Sequence, residues 1–325
     1  MIAARPGTCH RPHSPKPLVA ALRAHGTRRR AFQEHGVDDQ ARRPDQQASS
    51  RKHRVLDFGM LVAAVQFDVA WEDKPANHAI IERMLREAKI APGTYVLLPE
   101  LGDTGFSFDL AKIVDGRSLT WARTLARDLG IWIQPGFAEN GSDGRGRNCA
   151  AIISPQGEIL GIYRKVHPFS YGRESQHYSG GDRIVIRDCG GAAVCPLICY
   201  DLRFPELWRA AASSGAEVFT IGASWPDARQ THWRALLIAR AIENQAYIVA
   251  VNRVGADPNL HYAGGSIIVS PTGEIVDEAG ESPRVLVADL DIGALRDWRA
   301  EFPALRDIRD DLLGTMTVDK SIRHH

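Results

Sequence analysis

Three side chains in this sequence are of types that together can attack a carbonyl: Cys199, Glu100 and Lys165. Cys199 closes the apolar run 192–198 and is followed by Tyr200-Asp201-Leu202-Arg203-Phe204-Pro205-Glu206. A buried strand that delivers a thiol to a sharp turn, with a helix starting soon after, has the geometry a nucleophile needs. The thiol is exposed at the strand end, and backbone N–H groups face whatever it attacks. Glu100 closes a second apolar run, Leu97-Leu98-Pro99-Glu100, and Lys165 leaves a third in Gly161-Ile162-Tyr163-Arg164-Lys165-Val166-His167. All three therefore occupy one kind of place, the end of a core strand, and such ends converge into crevices in α/β folds. Taken singly, each has a plainer reading: free Cys is mostly core, and Glu and Lys are mostly solvated.

The elements that must position these residues follow from periodicity. Strands are predicted over 61–67, 95–98, 131–137, 150–154, 158–163, 192–198, 218–222, 248–252, 265–269, 274–278 and 285–289, the last taken as the final core strand. Helices are predicted over 77–90, 118–129, 205–214 and 231–244. Turns at Pro155-Gln156-Gly157 and Pro271-Thr272-Gly273 join two hairpins. Strands alternating with helices, plus hairpins, indicate one mixed α/β domain over 59–325. Residues 1–58 differ: rich in Arg, His, Pro and Gln, with 12 Lys/Arg against 5 Asp/Glu through residue 57. They lack periodicity and read as a disordered basic extension. Translation from Met60 would remove it, and a targeting or nucleic-acid arm is the functional alternative.

The remaining 28 basic and 34 acidic residues give the folded part a mildly acidic balance, with no nucleic-acid footprint. No apolar run reaches the roughly 18 residues of a membrane span. Five cysteines (Cys9, Cys149, Cys189, Cys195 and Cys199) without framework spacing point to reduced thiols and a cytoplasmic protein. Cys195 reads as a small buried residue. No Cys-x-x-Cys or HExxH spacing suggests a metal.

In its motifs the chain resembles the nitrilase superfamily of carbon–nitrogen hydrolases. The matching segments are Pro99-Glu100, Tyr163-Arg164-Lys165-Val166-His167 and Ile198-Cys199-Tyr200-Asp201-Leu202-Arg203-Phe204-Pro205-Glu206. A fourth runs from His232-Trp233 to Ala239-Arg240-Ala241-Ile242-Glu243-Asn244-Gln245. The resemblance spans about residues 60–291. It implies a four-layer α-β-β-α sandwich of two mixed sheets, assembled as a homodimer or higher oligomer, and a Glu-Lys-Cys triad needing no cofactor. Cys199 would attack the carbonyl and Glu100 would shuttle the proton. Lys165 and the backbone N–H of Tyr200 would hold the oxyanion. Glu174, in the loop after Lys165, matches a second family glutamate that positions the lysine or leaving group. Asp201, Arg203 and Glu206 read as braces of the turn and helix, and Arg240 with Glu243 as a buried polar network. A Cys–His mechanism using His167, His177 or His232 is the competing chemistry, but it leaves Glu100 and Lys165 without a purpose.

Tyr200-Asp201 after the cysteine resembles the amidase branches, whereas nitrile-cleaving members usually carry Trp-Glu there. The stretch Trp225-Pro226-Asp227-Ala228-Arg229, with His232-Trp233 behind it, is similar to bacterial omega-amidases. The implied substrate is a small dicarboxylic-acid monoamide such as 2-oxoglutaramate or 2-oxosuccinamate. Its carboxylate needs a cation, and Arg173, Arg203 and Arg229 are the candidates. Tyr178 or Trp225 would form an apolar wall. The loop Gly102-Asp103-Thr104-Gly105-Phe106 departs from some omega-amidases. N-carbamoyl-amine and deaminated-glutathione hydrolysis are the alternatives, and a non-catalytic binding protein of this fold is the alternative of a different class.

Overall fold

Along β1 (Gly59–Gln66), Val62 and Ala64 enter one apolar core while Ala63 and Val65 enter another. The two-residue repeat of a strand thus has both faces covered, which requires a layer on each side. The computed structural model describes residues 59–309, 311 and 317–321. The predicted extension 1–58 and Cys9 lie outside the described residues.

Two seven-stranded sheets make the centre. The first runs β15 (Arg284–Asp291), β1, β2 (Tyr95–Leu97), β3 (Trp132–Gln134), β5 (Gly146–Ile153) and β4 (Gly136–Asn140), with β6 (Ile159–Arg164) also paired to β5. The second runs β14 (Ile275–Glu278), β13 (Ile267–Val269), β10 (Tyr247–Asn252), β9 (Val218–Ala223), β8 (Ala193–Ile198), β7 (Arg183–Asp188) and β16 (Thr317–Ser321). Val62, Ala64 and Leu97 of the first sheet meet Val194, Val218, Val249 and Val251 of the second in a shared core. A buried hydrogen bond crosses it: Thr220 on β9 donates to Gln134 on β3 at 2.6 Å.

Helices α1 (Lys74–Glu87) and α3 (Arg117–Leu129) bring Ile81, Leu85, Ala122 and Leu125 onto the outer face of the first sheet. A short helix, α2 (Leu110–Ile113), precedes α3, and α4 (Glu174–His177) follows β6. Helices α5 (Pro205–Ser213) and α6 (Gln230–Asn244) bring Leu207, Trp208, Trp233 and Leu237 onto the outer face of the second. The result is the mixed α/β fold with α-β-β-α layering that the sequence implied.

Several boundaries differ from expectation. Helix α1 starts at Lys74 rather than 77, because Asp73 caps it by accepting from the Ala76 N–H and Pro75 suits the first turn. The strand expected over 131–137 divides at Pro135, which has no N–H for the ladder, into β3 and β4. Strand β7 was not foreseen, and β15 is not the last: α7 (Ile292–Glu301) and β16 follow it. A separate hairpin, β11 (Val254–Ala256) and β12 (His261–Ala263), stands outside both large sheets. Among the described residues, no helix is long and apolar enough to cross a membrane.

Candidate active site

Glu100, Lys165 and Cys199 each sit just past a strand end, after β2, β6 and β8. Glu100 can enter the space between the sheets because glycines flank its segment. A Cβ on Gly136 of β4 would stand 2.3 Å from the Pro99 carbonyl oxygen, and one on Gly222 of β9 would stand 2.6 Å from that of Leu98. Both are far inside contact distance, so only glycine admits the Leu98–Glu100 backbone there.

Cys199 opens a 3-10 turn, Cys199–Arg203, with φ at 43°, the left-handed region that costs a non-glycine residue about 1–3 kcal/mol. Asp201 holds that conformation. Its buried carboxylate accepts from the Ile198 N–H at 3.2 Å, the Tyr163 hydroxyl at 2.7 Å and the His167 N–H at 3.0 Å. It thereby ties the nucleophile turn to the segment that carries Lys165. The bracing role expected of Asp201 is thus exerted by direct hydrogen bonds, four residues ahead of α5.

Behind the thiol lies a buried polar ring. Lys165 Nζ donates to Glu100 Oε1 at 2.7 Å and to Glu174 Oε2 at 2.8 Å. Asn148 Nδ2 donates to the same Glu100 Oε1 at 2.8 Å and to Glu174 Oε1 at 2.9 Å. The Ser224 N–H donates to Glu100 Oε2 at 2.9 Å, and the Phe169 N–H to Glu174 Oε2 at 2.5 Å. All four ring side chains are at most 2% exposed. Burial alone would disfavour the Lys165 charge, but Glu100 and Glu174 outweigh it and hold the ammonium well above the usual lysine range. Burial pushes the Cys199 thiol well above the usual thiol range, the Glu100 charge adds to this, and Lys165 opposes it. Burial thus favours the protonated thiol, whose proton must leave as the sulfur attacks.

A cavity of about 470 Å³ opens over this ring, with Glu100, Lys165 and Cys199 in its lining. Phe106, Phe108, Phe169 and Trp225 form apolar walls. Arg173, Arg203 and Arg229 also line it. Arg203 lies over the Trp225 ring at 4.7 Å and Arg229 over the Phe169 ring at 5.4 Å, and no carboxylate of the described residues pairs with either. Burial lowers the Arg203 pKa and the neighbouring Arg229 charge adds to the shift, so the two cations share one end of the space. Arg173 is exposed and donates to Gln176.

One expectation is corrected. Tyr178 is no wall of the cavity: it is 1% exposed, sits in a satellite core with Leu101 and Ile113, and donates its hydroxyl to the Ser107 carbonyl at 2.7 Å. Arg203 does more than brace its helix, since it lines the cavity. None of the candidate histidines lines the cavity. His167 stacks on Phe204, His177 stacks on Phe108, and His232 contacts Arg203. Arg240 is buried as expected, donating to Glu243 and to the Leu202 carbonyl. Sequence reasoning missed Asn148 and Ser224. The available signal for Asn148 was an amide residue inside a strand-like run, where Asn is depleted.

Comparison with known proteins agrees with this geometry. The family model described as carbon-nitrogen hydrolase matches residues 61–300. The 2-oxoglutaramate amidase of Bacillus subtilis is 34% identical over 257 residues, covering 77% of this chain and 98% of that protein. Omega-amidase YafV of Escherichia coli strain K12 is 35% identical over 256 residues, covering 77% and 96%. Among solved structures, XC1258 from Xanthomonas campestris, a CN-hydrolase superfamily protein with an arsenic adduct in its active site, superimposes with a TM-score of 0.74 at 33% identity, over 79% of this chain and 100% of that one. The sequence match, the fold and the strand-end cluster agree, and the chain belongs to the carbon–nitrogen hydrolase family.

Proposed function

We propose that this hydrolase cleaves the terminal amide of a small carboxylate-bearing substrate, as an omega-amidase, through a thioester on Cys199. The observation that carries the reading is the buried ring of Glu100, Lys165 and Glu174 at the floor of the same cavity that presents Cys199. In the first half-reaction the Cys199 sulfur bonds to the amide carbon while its proton passes to Glu100. Lys165 has two N–H groups on the glutamates and directs its third to the developing oxyanion, joined by the Tyr200 N–H. The intermediate collapses, the C–N bond breaks, and Glu100 returns the proton to the leaving ammonia. In the second half, water gives a proton to Glu100 and its oxygen bonds to the thioester carbon. The C–S bond breaks and the proton returns to sulfur. Glu174 holds the lysine in place throughout.

The substrate class follows from the cations. Among the described residues, Arg203 and Arg229 have no carboxylate partner, and a bidentate guanidinium suits a substrate carboxylate lying opposite the amide. Relatives bearing the names 2-oxoglutaramate amidase and omega-amidase support a dicarboxylate monoamide. The test is ammonia release from 2-oxoglutaramate, 2-oxosuccinamate, deaminated glutathione, an N-carbamoyl amino acid and a simple nitrile, with Cys199→Ala alongside. Ammonia that depends on Cys199 from an oxo-acid amide supports the reading. Carbon dioxide released with the ammonia would move the assignment to carbamoyl hydrolysis, and silence without a trappable Cys199 adduct would sink it.

A further inference from the structure

We infer that Asn148 is a positioning residue of this site: its one side-chain amide bridges Glu100 and Glu174 and leaves Glu100 Oε2 as the oxygen that takes the Cys199 proton. The ring around Lys165 brings two buried carboxyl groups onto one lysine. A second cation is absent among the ring's partners, and the extra donors come from a neutral amide. Both hydrogens of Asn148 Nδ2 are used, one on each glutamate. Its orientation is forced, because a flipped amide would aim Oδ1 at two carboxylate oxygens. That orientation leaves Oδ1 buried with no hydrogen-bond partner among the described residues.

The consequence for Glu100 is an asymmetry between its oxygens. Among the described residues, Oε1 accepts from both Lys165 and Asn148, whereas Oε2 accepts from the Ser224 N–H. A proton arriving from the thiol goes to the oxygen with spare acceptor capacity, which is Oε2. The backbone contributes to the same arrangement, since the Asn148 carbonyl accepts the Lys165 N–H at 2.8 Å. Asn148 thus fixes the lysine through its main chain and the glutamates through its side chain.

The other titratable groups facing the two carboxylates are Lys165, Cys199, Tyr178 and Tyr262, and all stand above their ordinary ranges through burial or charge. A limb that moves on the acid side of neutrality when Asn148 is changed therefore reports on the ring that Asn148 bridges. The inference rests on the amidase reading only for its turnover readout, so the test carries a second one. Parent, Asn148→Ala and Asn148→Asp are compared in the pH dependence of Cys199 alkylation by iodoacetamide and in kcat and KM for ammonia release. Removing a donor raises the proton affinity of a carboxylate. Asn148→Ala is expected to lower kcat about 10²-fold with little change in KM, and to move the acid limb of both profiles to higher pH. Asn148→Asp is close in shape and can donate one hydrogen bond only when neutral, so it retains function at low pH and loses it as pH rises. If Asn148→Ala does not fold, the Asp variant carries the test by that profile. A uniform loss with unmoved limbs, or no loss, overturns the inference. No ammonia from the parent across the panel overturns the amidase reading instead, and the alkylation profiles still decide the role of Asn148.

Discussion

The floor and the rim of the cavity are built in opposite ways. At the floor, Glu100, Lys165, Glu174 and Asn148 are at most 2% exposed and joined by hydrogen bonds of 2.7–2.9 Å. At the rim, Arg203 and Arg229 rest on aromatic faces with no carboxylate partner among the described residues, and Arg173 and Tyr171 are exposed. The difference separates two tasks. Proton transfer and charge stabilisation need groups fixed before the substrate arrives, since reorganisation would cost rate. Recognition of a carboxylate needs donors left unsatisfied until the ligand supplies their acceptors.

The strongest way to break this division is to cut the floor. Cys199→Ala is expected to abolish ammonia release with an unchanged thermal midpoint. Glu100→Gln and Lys165→Met should each lose 10²-fold or more in kcat. Lys165→Met also leaves two buried carboxylates without their cation and should destabilise the fold by about 3–5 kcal/mol, read by denaturant titration. Full activity in any of the three would discard the mechanism.

Cutting the rim should act on binding alone. Arg203→Ala or Arg229→Ala loses charge-assisted hydrogen bonds worth about 1.5–3 kcal/mol. The expected result is a KM raised roughly 10–100-fold for carboxylate-bearing amides, with kcat nearly kept. An uncharged amide of similar size should be indifferent to both changes. Equal losses on the two kinds of substrate would remove the carboxylate from the proposal.

Alkali tests the buried floor and cores together. Burial pushes the thiols of Cys149, Cys189, Cys195 and Cys199 and the phenols of Tyr95 and Tyr163 upward. Unfolded thiols and phenols ionise near pH 8.5 and 10. Above those values the unfolded chain binds fewer protons than the native one, so stability is full below about pH 8.5 and falls as pH rises through 10 and beyond. A thermal midpoint that stayed flat from pH 8 to 11 would contradict this. The smallest effect is expected of Tyr178→Phe, which loses one hydrogen bond to Ser107, about 1 kcal/mol of stability, and leaves KM unchanged. A raised KM would return Tyr178 to the substrate wall.

Much of the fold was legible because strand and helix periods are local. The run 192–198 and the turn after it required only an unbroken apolar stretch and the position of Cys199. The strand over 131–137 was misread because apolar residues continue across Pro135, and a missing ladder donor is invisible to a hydropathy pattern. Strand β7 was overlooked because Arg183, Arg187 and Asp188 mask a short apolar core. Arg187 is nonetheless buried, its guanidinium bonded to the Leu160 and Asp319 carbonyls. Tyr178 was assigned to the cavity because its neighbours, Arg173 and Glu174, belong there. One turn of helix α4 carries it away into the core around Ile113.

The sequence by itself determined which residue types stand at the strand ends: a thiol, a carboxylate and a lysine, each closing an apolar run. Strand period and burial are read over a few neighbours, and those neighbours are adjacent in the chain. Only the tertiary structure decided how the three converge. Glu100 meets Lys165 across 65 residues and Asn148 across 48, all three from the first sheet, while Cys199 comes from the second and Gly136 and Gly222 make room for the Glu100 segment between them. The same packing chose which donors each oxygen of Glu100 accepts from and which arginines have no carboxylate partner among the described residues. Such contacts arise between segments that no local pattern relates, because hydrogen-bond geometry is set within a few tenths of an ångström by the whole core.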